Sequence, residues 1–140
     1  MNTAMFTSVS SRSASAYQRV AVQTSIDGAS PHQLISLLYE GLLESLGKAK
    51  LAIERGDVEA KGKEIGRAVR ILDEGLNGGL NDEVGGELAV NLRGVYNYSI
   101  LRLTAANLKG DPALVEEVSK LITTVFDAWK SISPQQATNA

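Results

Sequence analysis

Residues 86–108, Gly-Glu-Leu-Ala-Val-Asn-Leu-Arg-Gly-Val-Tyr-Asn-Tyr-Ser-Ile-Leu-Arg-Leu-Thr-Ala-Ala-Asn-Leu, place apolar side chains on two sides of a single helix. Leu88, Leu92, Val95, Tyr96, Ser99, Leu103 and Ala106 recur at steps of three and four and make one face. Val90, Gly94, Leu101, Ala105 and Leu108 recur at similar steps on another side. A surface helix needs only one apolar stripe. A helix with two is either central in its domain or has a second client for its second face. The functional question therefore turns on what covers that second stripe.

Three further helices are punctuated clearly. Ser30-Pro31-His32-Gln33 reads as a helix start: Ser30 caps, Pro31 occupies the first helical position, and Gln33 completes a capping box. The helix runs to about Glu54 with Ile35, Leu38, Tyr39, Leu42, Leu46, Ala49 and Ile53 as its core stripe. Leu37, Leu43 and Leu51 lie outside that stripe. Gly56 stops it and Asp57 caps the next helix, from about Val58 to Leu76, with Val58, Ile65, Val69, Leu72 and Leu76 inward. Gly62, Gly66 and Gly75 each cost this helix roughly 1 kcal/mol relative to alanine. Either a neighbouring backbone approaches closely there, or the helix is simply weak.

Residues 77–85 read as a loop ahead of the 86–108 helix, which Lys109-Gly110 ends. Asp111-Pro112 opens the last helix, which runs to about Ile132 with a broad apolar face and stops at Ser133-Pro134. No segment alternates with period two for long enough to make a strand. The expected fold is all-α: an antiparallel up-down four-helix bundle over 30–133, with a short N-terminal lid segment and frayed termini. Residues 1–13 are small, polar and serine-rich and are expected to be a disordered tail, and 134–140 a C-terminal tail. Between them, 14–29 form a lid segment and connector. Ala14, Tyr17, Val20 and Ala21 fall at helical spacing but make too short a helix to stand alone.

Composition narrows the function. A net charge of -2 and an isoelectric point near 5.4 speak against a nucleic-acid binder. The chain has no cysteine, which removes disulfides and thiolate chemistry and fits a reducing compartment. No apolar run approaches the length needed to span a bilayer, and the N-terminus lacks the continuous apolar core of a secretory signal. Gly41–Lys48 superficially resembles a phosphate loop, but its glycine spacing is wrong and it lies inside a helix. His32, the single histidine, reads as an exposed first-turn residue and has no acid three residues before it. Lys61, Lys63, Arg67 and Arg70 read as a solvated face. No catalytic residue, metal site or cofactor is expected, and the chain does not read as an enzyme.

What remains is apolar surface in excess of one core. A helix touching two neighbours accounts for part of it. The sharper reading is a receptor for a partner's amphipathic helix, with Ala14–Val20 lying in the groove until displaced.

The order and spacing of several short pieces then carry a family resemblance. They are Ala16-Tyr17 with Val20; Ser30-Pro31-His32-Gln33-Leu34-Ile35 with Leu38-Tyr39-Glu40-Gly41; Glu54-Arg55-Gly56-Asp57; Ala68 with Ile71-Leu72 and Gly75-Leu76; Gly85-Gly86-Glu87-Leu88-Ala89-Val90-Asn91-Leu92; Tyr96-Asn97-Tyr98; Arg102-Leu103; Ala106-Asn107-Leu108; Glu116-Glu117-Val118; and Ala128-Trp129. Over about residues 14–134 the chain resembles the flagellin-specific export chaperones, the FliS family of flagellar secretion chaperones. The resemblance implies a cytoplasmic helical bundle without catalytic activity. Such a protein binds the C-terminal segment of flagellin, prevents its premature polymerisation, and helps deliver it to the cytoplasmic domain of the flagellar type III export gate. Stripe geometry selects Leu37, Leu51, Val90, Gly94, Leu101, Ala105 and Leu108 as the flagellin groove, with Tyr17 and Val20 anchoring the lid. The competing reading is a self-associating bundle, a weak homodimer through the second stripes that acts as an adaptor without flagellin specificity.

Overall fold

The computed structural model describes residues 30–132. The expected tails and the lid, with Tyr17 and Val20, lie outside the described residues. Among the described residues four α-helices make the bundle: α1 (Pro31–Arg55), α2 (Val58–Arg70), α3 (Asp82–Lys109) and α4 (Pro112–Ser131). Among the described residues there is no strand.

The helix ends follow the local chemistry of the sequence. Ser30 Oγ accepts from the Gln33 amide at 3.1 Å while Gln33 Oε1 accepts from the Ser30 amide at 2.8 Å, closing the capping box. Asp57, Asn81 and Asp111 cap α2, α3 and α4 through their side-chain oxygens. Gly56 and Gly110 end α1 and α3 at φ 72° and 63°, a region in which a side chain would crowd the backbone.

Two boundaries differ from the sequence reading. α2 does not continue as an α-helix to Leu76; it widens into a π-helical turn over Ile71–Asn77. Through that turn Ile71, Leu72, Gly75 and Leu76 are all buried. The expected 77–85 loop is shorter, because Asn81 caps a first turn of α3 that starts at Asp82. That turn is set off from the rest by a kink at Gly86, whose φ of 55° and ψ of -128° only glycine adopts easily. Asp82 then reaches Arg93 at 2.7 Å. Leu88, expected in the core stripe, is instead 46% exposed: it stands in the first turn after the kink, at the margin of the face that buries Ala89, Tyr96 and Leu103.

Side-chain contacts define the packing order. α1 lies against α2 with Leu38 over Gly75 and Arg67 over Gly41, so the two helices run in opposite directions. α1 and α4 also run opposite: His32 meets Trp129 at one end and Lys50 meets Glu116 at the other. α2 and α3 pair through Asn77 with Asn97 and Lys61 with the Asn107 carbonyl. α1 and α3 therefore face each other diagonally, each flanked by α2 and α4. The two meet across the core, where the Tyr39 and Tyr96 hydroxyls share a short hydrogen bond.

Leu38, Leu42, Leu46, Leu72, Leu103, Val118 and Ile122 fill most of the core. The Tyr39 ring stacks on Phe126 at 5.2 Å and tilts against Tyr96 and Trp129. Burial pushes the Tyr39 hydroxyl up to about 12, partly offset by its bond to Tyr96. Burial, together with Tyr39, raises Tyr96 well above the ordinary tyrosine value.

Two side chains expected on the surface are drawn in. His32 is half-buried, stacked on Trp129 with ring centres 5.0 Å apart and planes within 9°. His32 Nε2 donates to the Trp129 carbonyl at 3.0 Å. Arg67 is half-buried and donates to the Gly41 carbonyl at 3.1 Å and to Ser45 Oγ at 2.6 Å, tying α2 to α1.

Candidate partner-binding surface

α3 divides its residues between a buried face and an exposed one. Ala89, Tyr96, Ser99, Leu103 and Ala106 are buried against the bundle. On the opposite side Val90, Leu101 and Leu108 are 62%, 68% and 85% exposed. Gly94 is exposed in the same stripe and Ala105 is half-buried at its margin. Three large apolar side chains left in water along one helix face are the feature of this surface that the bundle itself does not use. Gly94 adds to it: a Cβ built there meets nothing within 4 Å, so no packing contact among the described residues requires a glycine. Its absent side chain leaves α3 backbone open to close approach from outside.

Polar side chains bound the stripe on both edges. Along the α2 edge, Asn77 reaches Asn97, which stands within the stripe, and its Nδ2 donates to Asn97 Oδ1 at 2.9 Å. Along the α4 edge, the Tyr98 hydroxyl donates to Glu117 at 2.5 Å and Arg102 Nε donates to the same carboxylate at 2.9 Å. The Tyr98 hydroxyl and then the Arg102 guanidinium hold Glu117 below the usual carboxylate range. The hydrogen bond to Glu117 is the main cause raising both Tyr98 and Arg102. Arg102 also sits 5.9 Å from the centre of the Tyr98 ring. This cluster holds α3 and α4 together beside the apolar stripe, so the stripe is presented on a braced helix.

The structure separates the expected groove residues into two groups. Val90, Gly94, Leu101, Ala105 and Leu108 share one face of α3. Leu37 and Leu51 lie on α1, which is diagonal to α3, so the outward faces of the two helices point to opposite sides of the bundle. Leu51 is 43% exposed, whereas Leu37 is half-buried and packs on the core. Of the α1 residues only Leu51 is left exposed, and which faces adjoin depends on helix order around the bundle, which periodicity does not encode.

Tyr98 was not among the expected contact residues, yet it is exposed beside Leu101 and Ala105. Its spacing from those two, three and seven residues, is a helical signal that an apolar count weighted toward aliphatic residues passes over. Val58, assigned inward at the start of α2, is 71% exposed. A helix's first turn extends past the neighbours that cover its middle, and Val58 is the first residue of α2.

Elsewhere, a shallow groove of about 490 Å³ runs between α1 and α4, lined by Leu46, Gly47, Lys50, Ser119 and Thr123 among others. Its lysines, Lys50 and Lys120, each lie 3.8 Å from Glu116. Among the described residues no three His, Asp or Glu side chains converge as metal ligands. Among the described residues no helix is long and apolar enough to cross a membrane.

Comparison with known proteins bears on this surface. The sequence profile of the family described as "Flagellar protein FliS" matches residues 13–136. The flagellar secretion chaperone FliS of Salmonella typhimurium is 47% identical over 120 residues, covering 86% of this chain and 89% of the relative. The flagellar secretion chaperone FliSB of Pseudomonas aeruginosa is 44% identical over 117 residues, covering 84% and 92%. FliS of Bacillus subtilis, also a flagellar secretion chaperone, is 37% identical over 108 residues, covering 77% and 79%. With a profile spanning nearly the whole chain, and relatives this similar over most of both lengths, the protein belongs to the FliS family of flagellar secretion chaperones.

Proposed function

We propose that this protein binds the C-terminal segment of flagellin on the outward face of α3, keeps that segment from pairing with other flagellins, and helps deliver it to the cytoplasmic domain of the flagellar export gate. The protein acts by passive binding and no reaction is catalysed. The observation that supports the site is the exposure of Val90, Leu101 and Leu108 on one face of a braced helix, in a chain of a secretion-chaperone family. An amphipathic helix laid along that face buries its own apolar side and the chaperone's together. Each large apolar side chain fully removed from water contributes about 1.5–3 kcal/mol. Ordering a flexible partner cancels much of that gain, which leaves binding reversible enough for hand-over.

The test is calorimetric titration of the full-length protein with the flagellin C-terminal segment, in wild type and in Leu101→Glu. The expected outcome is binding by wild type and a loss of at least tenfold in affinity in Leu101→Glu. Equal binding by the two would remove α3 as the site. No binding by either, with the segment shown to be competent, would favour the self-associating adaptor, whose dimer would persist when the segment is added.

A further inference from the structure

Two polar side chains interrupt the α3 stripe: Asn97, one turn from Gly94 and one turn from Leu101, and Thr104, one turn from Leu101 and one turn from Leu108. The Thr104 hydroxyl donates to the Ile100 carbonyl of its own helix at 2.9 Å and so leaves Asn97 as the one with a donor turned outward. Apolar burial has no direction, so an amphipathic helix lying on aliphatic side chains alone could slip by one turn, about 5.4 Å, with little penalty. A single polar group in such a seam changes this, because slipping leaves it buried without a partner.

Asn97 is set up to act in that way. Its Oδ1 is already engaged by Asn77 Nδ2 at 2.9 Å, which fixes the carboxamide and leaves its amino group as the atom offered to an incoming chain. Asn77 is held at the last residue of the π-helical turn, and its own Oδ1 is buried with no hydrogen-bond partner. A buried oxygen left unpaired is a cost to the free protein. The Asn77 bond holds Asn97 in place on the outward face of α3.

We propose that Asn97, positioned by Asn77, selects the register of the docked helix by requiring a hydrogen-bond acceptor at one point of that helix's otherwise apolar face. The acceptor is a carboxamide, carboxylate or hydroxyl oxygen. It falls between the apolar side chains that cover Val90 and those that cover Leu101 and Leu108. A helix with an apolar residue at that point leaves the Asn97 amino group desolvated and unpaired, so it is rejected by penalty and not by lack of attraction. This inference rests on the proposed docking of flagellin along α3.

The chain has no cysteine, so Lys109→Cys at the exposed end of α3 takes a single spin label. A second label is placed on the flagellin segment, and the distance distribution is measured in the complex with full-length chaperone carrying Asn97 or Asn97→Leu. Asn97 is exposed on a helix surface, so Asn97→Leu folds, and a melting curve verifies it. The expected result is one narrow distance with Asn97. With Asn97→Leu, binding is retained within tenfold and the distance broadens or splits by about 5.4 Å, one helical turn. An unchanged narrow distance in Asn97→Leu overturns the register role, as does a greater than tenfold loss of binding by a folded Asn97→Leu. Absent binding to the labelled protein carrying Asn97, or equal binding by Leu101→Glu, overturns the α3 site itself and the register role with it.

Discussion

At the scale of single residues, the Tyr39–Tyr96 pair and the glycines of α2 and the π-helical turn show how burial decides the sign of an effect. Both tyrosine hydroxyls are buried and bonded to each other, and burial raises both above the unfolded value of about 10. Above pH 10 the unfolded chain sheds these protons while the fold still holds them, so rising pH favours the unfolded chain. The contribution is therefore complete below about pH 10 and is lost as pH climbs toward the folded value near 12. Each tyrosine contributes a slope of up to about 1.4 kcal/mol per pH unit in that window. Stability measured by urea unfolding is expected to fall steeply from pH 10 to 12 in wild type. The fall flattens in the double variant Tyr39→Phe, Tyr96→Phe. Tyr39→Phe alone strands the Tyr96 hydroxyl and is expected to cost about 1–3 kcal/mol at neutral pH.

The glycines of α2 and of the π-helical turn that follows it divide by their surroundings. A Cβ at Gly66 meets nothing, so Gly66→Ala is expected to raise stability by about 0.5–1 kcal/mol through helix propensity alone. A Cβ at Gly75 would lie 3.1 Å from the Leu38 side chain, which is itself 1% exposed and has no room to yield. Gly75→Ala is expected to lower stability by about 1–3 kcal/mol. Denaturant unfolding of the two variants checks the contrast. No neighbouring backbone approaches these glycines: the missing Cβ of Gly75 makes room for the Leu38 side chain, while Gly62 and Gly66 touch nothing with theirs.

At the scale of elements, α3 carries both the fold and the candidate site, and its first turn is separable from the rest. Gly86 turns the chain at φ 55° and ψ -128°, and the Arg93–Asp82 ion pair holds the turned segment back on α3. Gly86→Ala is expected to cost about 1–3 kcal/mol of strain. It is also expected to raise amide exchange across 82–88 more than in the rest of α3, as read by hydrogen–deuterium exchange. The π-helical turn belongs at this scale too. It buries Ile71 and Leu72 together with Gly75 and Leu76, and it delivers Asn77 to the edge of α3.

At the scale of the whole molecule, α1 and α3 oppose each other through the core and look outward in opposite directions. The His32–Trp129 stack closes α1 on the end of α4, and the Trp129 indole donates to the His32 carbonyl at 3.4 Å. The outward face of α3 takes no part in this closure. Folding and binding should therefore come apart: Leu101→Glu is expected to change thermal stability by less than about 0.5 kcal/mol, as surface substitutions do, while removing flagellin binding. Leu103→Ala, at a fully buried position one step round the same helix, is expected to cost about 2–5 kcal/mol. A melting curve and a titration on the same two variants check both halves.

Local chemistry written into consecutive residues was legible in the sequence. Ser30-Pro31-His32-Gln33, Gly56-Asp57 and Gly110-Asp111-Pro112 mark helix ends because capping and left-handed backbone depend on a few neighbouring residues. The two faces of α3 were legible as well, since 3.6-residue periodicity alone assigns Leu103 inward and Val90, Leu101 and Leu108 outward. What only the tertiary structure decided depends on residues far apart in the chain. The burial of His32 needs Trp129, the inward turn of Arg67 needs Gly41 and Ser45, and the separation of Leu37 and Leu51 from the α3 stripe needs the order of helices around the core. Periodicity states which side of its own helix a residue occupies. Which helix lies beside that side is set by packing among all four, and that sum is not present in any single stretch of sequence.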